Sequence, residues 1–371
     1  MSNNKKVAIL TFHRAINYGA VIQCFALFTK LSKFFDVSVL DYRCKKIEKA
    51  YYSKGDSVFQ RLKYLFRSIL FLKQTITTAK KKKRFKTFLK SYIALSKPYS
   101  DKNIAQSNSC FDSFIVGSDQ VWNFRITGND IAYFLPFVEN NKTKLSYAAS
   151  FGSSLENDLE TENLFKLLDT FDGLSIRESG QRDALQKYTS KTISVDCDPV
   201  MLLSKEEWIN SLNLKKSDRN KYVLIYLIAK DSLCVEKALE FAKSHNLIPI
   251  FLCSYEWSVL KDKNVLLVKD AGPIEFLDLI YNATAVFTTS FHATVLSMIF
   301  NIPFFYELNK NKNNSNSRFF ELVKNFEIEN REINENTIYN LENINWLSIN
   351  KKINDISKRS FERLLGELNG K

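Results

Sequence analysis

No Cys-x-x-Cys pair occurs among the six cysteines, Cys24, Cys44, Cys110, Cys197, Cys234 and Cys253, which lie far apart in the chain. Structural zinc needs closely spaced ligand pairs, so neither a zinc nor a disulfide framework is expected. Most of these thiols sit in apolar runs, where a free cysteine behaves as a small hydrophobe, and the pattern suits a cytoplasmic protein with reduced cysteines. No run reaches the roughly 18 apolar residues of a membrane span. Residues 7–12 form an apolar stretch shorter than a signal-peptide core, followed at once by His13 and Arg14. Neither Gly-x-Gly-x-x-Gly nor Gly-x-x-x-x-Gly-Lys is present, so nothing predicts a dinucleotide or a P-loop nucleotide. Residues 57–100 contain no Asp or Glu.

What is present is a long chain with ample core material. Its 371 residues, 45% of them hydrophobic, suit two domains of ordinary size and exclude disorder. The formal net charge of +13 resembles that of a nucleic-acid binder, but residues 57–100 alone hold twelve Lys and Arg. The remainder is close to neutral and lacks aromatic–basic interleaving, so nucleic acid is not an expected partner. In the basic segment, Phe59, Leu62, Phe66, Ile69 and Leu70, and then Phe85, Phe88, Leu89 and Tyr92, recur at helical spacing. The expectation is a basic helical insertion at 57–100. Its charged face is either merely solvated or suited to an anionic membrane surface.

Short β-rich runs alternate with longer helical patterns, as in the βα units of a parallel sheet. The first series places strands at 7–12, 37–40, 114–116, 145–149 and 173–176, with helical patterns at 20–34, 159–168 and 178–187. The second places strands at 222–228, 248–253, 265–268, 285–288 and 303–306, with helical patterns at 235–244, 273–281 and 293–300. Residues 198–212 read as a hinge, 310–317 as a mobile loop and 353–368 as a closing amphipathic helix that could pack on either domain. The expected fold is α/β, two doubly wound Rossmann-like domains facing a cleft: 1–197, carrying the insertion, and 198–371.

In such sheets ligands bind beyond the carboxyl ends of the strands. Two of the three histidines, His13 and His292, fall in turns of that kind, whereas His245 suits a helix C-terminus. Asn17, with Gly19 behind it, can cap the first helix and present N–H groups to an anion. The turn Gly117-Ser118-Asp119-Gln120-Val121-Trp122-Asn123 ends a strand in hydrogen-bonding side chains with an indole nearby. It reads either as a sugar-binding lip or as a helix start capped by Ser118 or Asp119. Arg177, at another strand end, can clamp carboxylate or phosphate, or pair with Glu178 or Asp196.

These turns, with 146–152, Asp198-Pro199, and 289–298 followed by Asn301-Ile302-Pro303, appear in the same order as in the polysaccharide pyruvyl transferase family, which the chain resembles from about residue 5 to 306. The resemblance implies a glycosyltransferase-B-like fold. It also implies transfer of pyruvate from phosphoenolpyruvate to sugar hydroxyls as a ketal, for a capsule, exopolysaccharide or cell-wall polymer. It places phosphoenolpyruvate on His292 and Arg177, with Thr289, Ser290 and Phe291 shaping the donor pocket. His13, Asn17, Tyr18, Asp119, Gln120 and Trp122 are the candidates for the acceptor, a sugar or lipid-linked oligosaccharide. No metal or cofactor is expected. Two positions depart from the family pattern: Ala293 stands where relatives commonly have Gly, and Ser290 where some have Arg. The competing expectations are a glycosyltransferase using a nucleotide-sugar and a non-catalytic scaffold at the membrane surface. On the leading expectation the basic segment holds a cytoplasmic enzyme at the inner face of the plasma membrane.

Overall fold

A computed structural model describes residues 5–52, 72–152, 163–217, 221–228, 233–253, 264–308, 317–335, 337 and 339–370. The chain divides into two compact units, residues 1–202 with 356–371, and residues 203–355.

In the first unit, β1 (Lys6–Leu10) is buried along Val7-Ala8-Ile9-Leu10, the unbroken apolar run of a strand covered on both faces. It is followed by α1 (Tyr18–Leu31), β2 (Asp36–Tyr42), α2 (Lys45–Tyr52), α3 (Leu72–Tyr92), β3 (Leu95–Tyr99), β4 (Ser113–Val116) and β5 (Thr143–Ser146). The strands form a parallel sheet of order β3-β2-β1-β4-β5. Beyond β5 come β6 (Leu174–Ile176) and β7 (Ile193–Val195), a parallel pair joined to the β5 end by bridges from Gly173 to Leu145 and from Ile176 to Ala149.

The basic segment departs from its expected form. Residues 95–99 are not part of an insertion but the edge strand β3, parallel to β2, and α3 lies in the crossover that parallel strands require. Its Phe85 ring lies 5.3 Å from Tyr18, and Phe88 lies 5.5 Å from Phe25, both partners on α1. Charge hid this: Lys97 and Pro98 make β3 a poor strand by composition, although an edge position tolerates both. The first pattern, Phe59 to Leu70, lies outside the described residues, as do residues 310–316 and the larger part of the expected loop there.

The second unit contains α4 (Lys205–Leu212), β8 (Tyr222–Tyr226), α5 (Leu233–Ser244), β9 (Ile248–Leu252), β10 (Leu266–Val268), α6 (Pro273–Tyr281), β11 (Ala285–Thr288), α7 (Phe291–Phe300), β12 (Phe304–Tyr306) and α8 (Ser317–Phe326). Its parallel sheet, β10-β9-β8-β11-β12, repeats the strand order of the first. The final helix, α9 (Trp346–Asn369), divides between the units at residue 356. In the first unit, Ser360 accepts from the Cys197 N–H (3.1 Å) and Arg363 donates to Asp196 (2.7 Å).

The stretch read as a hinge, 198–212, contains the division between the two units, between residues 202 and 203, and is largely buried. Pro199–Leu202 is a short turn whose four residues are buried and packed on α1. In α4 a reciprocal cap closes the helix start: the Ser204 hydroxyl accepts from the Glu207 N–H (3.2 Å), and the Glu207 carboxylate accepts from the Ser204 N–H (2.7 Å). The local apolar run at 199–203 is core, which a reading focused on Asp-Pro as a break passes over.

Because Phe88 is core and Lys83 is solvated, Phe88→Ala is expected to destabilise the first unit by about 3–5 kcal/mol and Lys83→Ala by less than about 0.5 kcal/mol. Urea unfolding followed by tryptophan fluorescence checks both; an equal, small effect from the two would show that α3 is dispensable to the fold.

Candidate functional site

Strand order reverses between β1 and β4 in the first unit and between β8 and β11 in the second, so each sheet opens a crevice at those carboxyl ends. The residues singled out by sequence lie near these ends, except Arg177, which follows β6. At the β1 end, His13 is buried with Nδ1 3.2 Å from the Thr11 carbonyl and Nε2 3.3 Å from Asp41 Oδ1. Arg14 (3.1 Å) and Arg43 (3.2 Å) also reach Asp41, and Arg14 pairs with Glu48. Burial alone would raise the Asp41 pKa, but His13, Arg14 and Arg43 outweigh it and hold the carboxyl well below its ordinary range.

Three acceptor candidates take other roles. His13 is a clamp between β1 and β2, with both ring nitrogens committed inside the unit. Tyr18 is covered by α3, its ring under Lys81 Nζ (4.7 Å) and against Phe85. Trp122 is core rather than lip: its indole N–H donates to the Tyr133 carbonyl (2.9 Å), and its ring stacks on Phe134 at 5.6 Å. Each reads as polar or amphipathic in sequence, but burying its ring satisfies far more apolar surface than a turn could offer. Asn17 caps α1, accepting from the Ala20 N–H at 3.3 Å, while remaining exposed.

The turn after β4 is shaped by backbone contact. Gly117 has φ +115°, and a Cβ there would lie 2.3 Å from the Tyr147 carbonyl oxygen, so only glycine lets the β4 and β5 ends approach. Asp119 follows at φ 73°, its carboxylate accepting from the Gln120 N–H (2.9 Å), and Gln120 accepts from the Asn123 amide (2.8 Å). Asp119 and Gln120 are half-buried and remain available at the crevice.

At the β6 end, Arg177 is buried with its Nε 3.0 Å from Glu178 and its Nη1 3.0 Å from Asp198. Asp198, not Asp196, is the second partner; Asp196 is taken by Arg363. Burial opposes the guanidinium's charge, yet Glu178, Asp198 and Asp119 more than compensate and raise its pKa. Nη2 is buried with no hydrogen-bond partner among the described residues. Such a donor costs free energy unless something fills its place.

In the second unit, β11 runs into α7 through Thr289 and Ser290. The Thr289 hydroxyl accepts from the Ile228 N–H (2.9 Å), tying the β8 and β11 ends together, and Ser290 caps α7 by accepting from the Ala293 N–H (3.4 Å). His292 therefore stands in the first turn of α7, on the positive end of the helix dipole. Phe291 packs edge-on to His292 and lies beneath the Arg318 guanidinium (5.0 Å). Arg318, on α8, brings a cation near the donor candidates; nothing in the local sequence connects it with His292. Sequence reasoning passed over Asp41, whose signal is an acid directly after the apolar Val39-Leu40 near the carboxyl end of β2. His245 accords with its reading, its Nδ1 3.0 Å from the Phe241 carbonyl past the end of α5.

Among the described residues no group of three or more His, Cys, Asp or Glu could hold a metal ion, and no helix is long and apolar enough to cross a membrane. The family profile described as polysaccharide pyruvyl transferase matches residues 17–311. No curated protein matches the sequence as a relative. Similar solved structures include a Listeria monocytogenes protein assigned as a UDP-N-acetylglucosamine 2-epimerase, 12% identical, with 100% of this chain and 98% of that one covered and a TM-score of 0.52. Neisseria meningitidis UDP-GlcNAc 2-epimerase, bound to UDP-GlcNAc, is 12% identical over 99% and 100% of the two chains, with a TM-score of 0.51. At that identity the likeness establishes the fold alone: two Rossmann-like units of the glycosyltransferase-B kind.

The depressed pKa of Asp41 makes stability depend on pH. Its ionised form is favoured by the fold, so this contribution is complete above the ordinary carboxylate pKa of about 4 and is lost as pH falls through the lower folded value. Asp41→Asn is therefore expected to be less stable than wild type near neutral pH, with the gap narrowing below about pH 4. Urea midpoints across that range check it; a gap of constant size would mean that the cluster is not ionic.

Proposed function

Since the chain belongs to the polysaccharide pyruvyl transferase family, we propose that it moves pyruvate from phosphoenolpyruvate onto two hydroxyls of a sugar as a cyclic ketal, during assembly of a capsule, exopolysaccharide or cell-wall polymer. The observation that carries this reading is the buried Arg177 Nη2, a charged donor without a protein partner among the described residues, at the carboxyl end of a parallel strand. A ligand carboxylate or phosphate oxygen satisfies it.

Ketal formation needs a proton at C3 of the enol, stabilisation of positive charge at C2, attack by two hydroxyls and departure of phosphate. His292 is the donor-side acid or phosphate partner, since an imidazole can hand on a proton or hydrogen-bond an anion, and the α7 N-terminus favours an anion beside it. Thr289, Ser290 and Phe291 fix that turn. Asp119 and Gln120, with exposed Asn17, remain the acceptor candidates once His13, Tyr18 and Trp122 are assigned to the fold. The acceptor is a sugar or lipid-linked oligosaccharide, and no metal or cofactor enters the scheme.

The charged face of α3 suits an anionic membrane near such a lipid-linked acceptor. Leu72 and Ile76 are exposed at 60% and 47%, and Lys80, Lys83, Lys86 and Lys90 continue along the side turned away from Phe85 and Phe88. Each lysine contributes on the order of 1 kcal/mol at such a surface, provided salt is low enough.

Phosphoenolpyruvate is expected to raise the melting temperature of the wild type, and His292→Ala and Arg177→Lys to lose most of that rise while staying folded. With nitrophenyl hexosides as acceptor probes, phosphate release from phosphoenolpyruvate should fall at least about 100-fold in both variants. Stabilisation by UDP-N-acetylglucosamine and not by phosphoenolpyruvate would establish a nucleotide-sugar enzyme instead. For the membrane face, replacing Lys80, Lys83, Lys86 and Lys90 with Glu should abolish sedimentation with phosphatidylglycerol vesicles and leave turnover of the hexoside probes unchanged. Equal sedimentation of both proteins would remove α3 as the contact.

A further inference from the structure

Beside Arg177 stands a second buried group with an open valence. Glu178 is 1% exposed. Its Oε1 accepts from Arg177 Nε (3.0 Å) and from the Ser150 hydroxyl (2.8 Å), whereas its Oε2 has no hydrogen-bond partner among the described residues. The guanidinium edge formed by Nε and Nη2 ordinarily receives both oxygens of one carboxylate. Here Glu178 engages Nε through a single oxygen, and neither Nη2 nor Oε2 has a hydrogen-bond partner among the described residues. Asp198 holds the opposite Nη1, and the Ser150 hydroxyl holds Oε1, so both groups are fixed by their other partners. One open donor and one open acceptor on the same bonded Arg–Glu pair match a ligand that offers an anionic oxygen and a hydroxyl together.

We propose that Glu178 is the base that takes the proton from the sugar hydroxyl attacking C2 of phosphoenolpyruvate. The assignment rests on the transfer reading above. In it, the donor's C1 carboxylate binds Arg177 Nη2, and because C1 is bonded to C2, the attacked carbon lies next to Glu178 Oε2. The hydroxyl oxygen bonds to C2 as its proton passes to Oε2, and the C2–C3 π pair takes a proton at C3. Phosphate then leaves with the C2–O bonding pair, and the second hydroxyl closes the ketal. The proton from the first hydroxyl passes by way of Oε2 to the departing phosphate, and the proton of the second hydroxyl replaces the one that the donor-side acid gives to C3, so both hydroxyl protons are accounted for. The charged groups facing this carboxylate are Arg177 directly, with Asp119 and Asp198 around the same guanidinium. Ser150 supplies the neutral hydrogen bond. In the folded protein Glu178→Gln keeps an oxygen for Ser150 and Arg177, and Asp198 still pairs the guanidinium, so the turn is preserved while the base is lost.

The experiment uses the whole chain, phosphoenolpyruvate and the nitrophenyl hexoside probes. Glu178→Gln should keep the stabilisation by phosphoenolpyruvate and lose turnover by about 100-fold to 10,000-fold, with part of the loss recovered in Glu178→Asp. Ser150→Ala, which removes a hydrogen bond that orients the carboxylate, should lower turnover without abolishing it. A Glu178→Gln enzyme with wild-type turnover overturns the assignment, and means that a trapped water fills the gap. A wild type that phosphoenolpyruvate does not stabilise overturns the transfer reading itself, which is a separate result.

Discussion

A parallel strand cannot pass to its neighbour through a tight turn, and the structure follows from that constraint. Each crossover returns the chain to the same side, so all carboxyl ends of a sheet collect along one edge. Where the order reverses, at β1 and β4 and again at β8 and β11, successive crossovers diverge and the strand ends are left uncovered. His13, Asp119 and His292 reach their positions through this single geometric fact, although they lie far apart in sequence. The same constraint explains α3, which is basic on its outer side yet bound to α1 by Phe85 and Phe88.

The two acid–base clusters of the first unit use charge in different ways. Around Asp41, His13, Arg14 and Arg43 surround one carboxylate, and the result is a closed clamp joining the β1 end, β2 and α2. Around Arg177 the ratio is inverted: Glu178 and Asp198 bind one guanidinium, with Asp119 close by, and the arrangement stops short of completion. A closed cluster stabilises a fold. A buried one with an open donor and an open acceptor is costly to the fold alone, and that asymmetry sets the two networks apart.

Local pattern carried much of the fold. The runs at β1, β8 and β11 and the period of α6 and α7 were legible because burial on both faces, or on one helix face, leaves a periodic trace. β3 and β7 were not, because an edge strand and a three-residue strand need few apolar side chains. Among the candidate residues, the placement of Arg177 and His292 at strand ends was readable from the turns. The burial of Trp122 was not, since an indole beside Asp119, Gln120 and Asn123 looks identical in sequence whether it faces solvent or Phe134.

By itself the sequence determined the class of fold, the family, the placement of the candidate residues at strand ends and the confinement of charge to one segment. These are properties of composition and short-range order, and neighbouring residues suffice to express them. Only the tertiary structure decided which polar side chains are spent on the fold and which keep a free valence. That distinction separates His13 from Glu178. It depends on partners twenty or more residues away, Asp41 for the one and Ser150 for the other, whose approach is set by sheet register rather than by any local pattern.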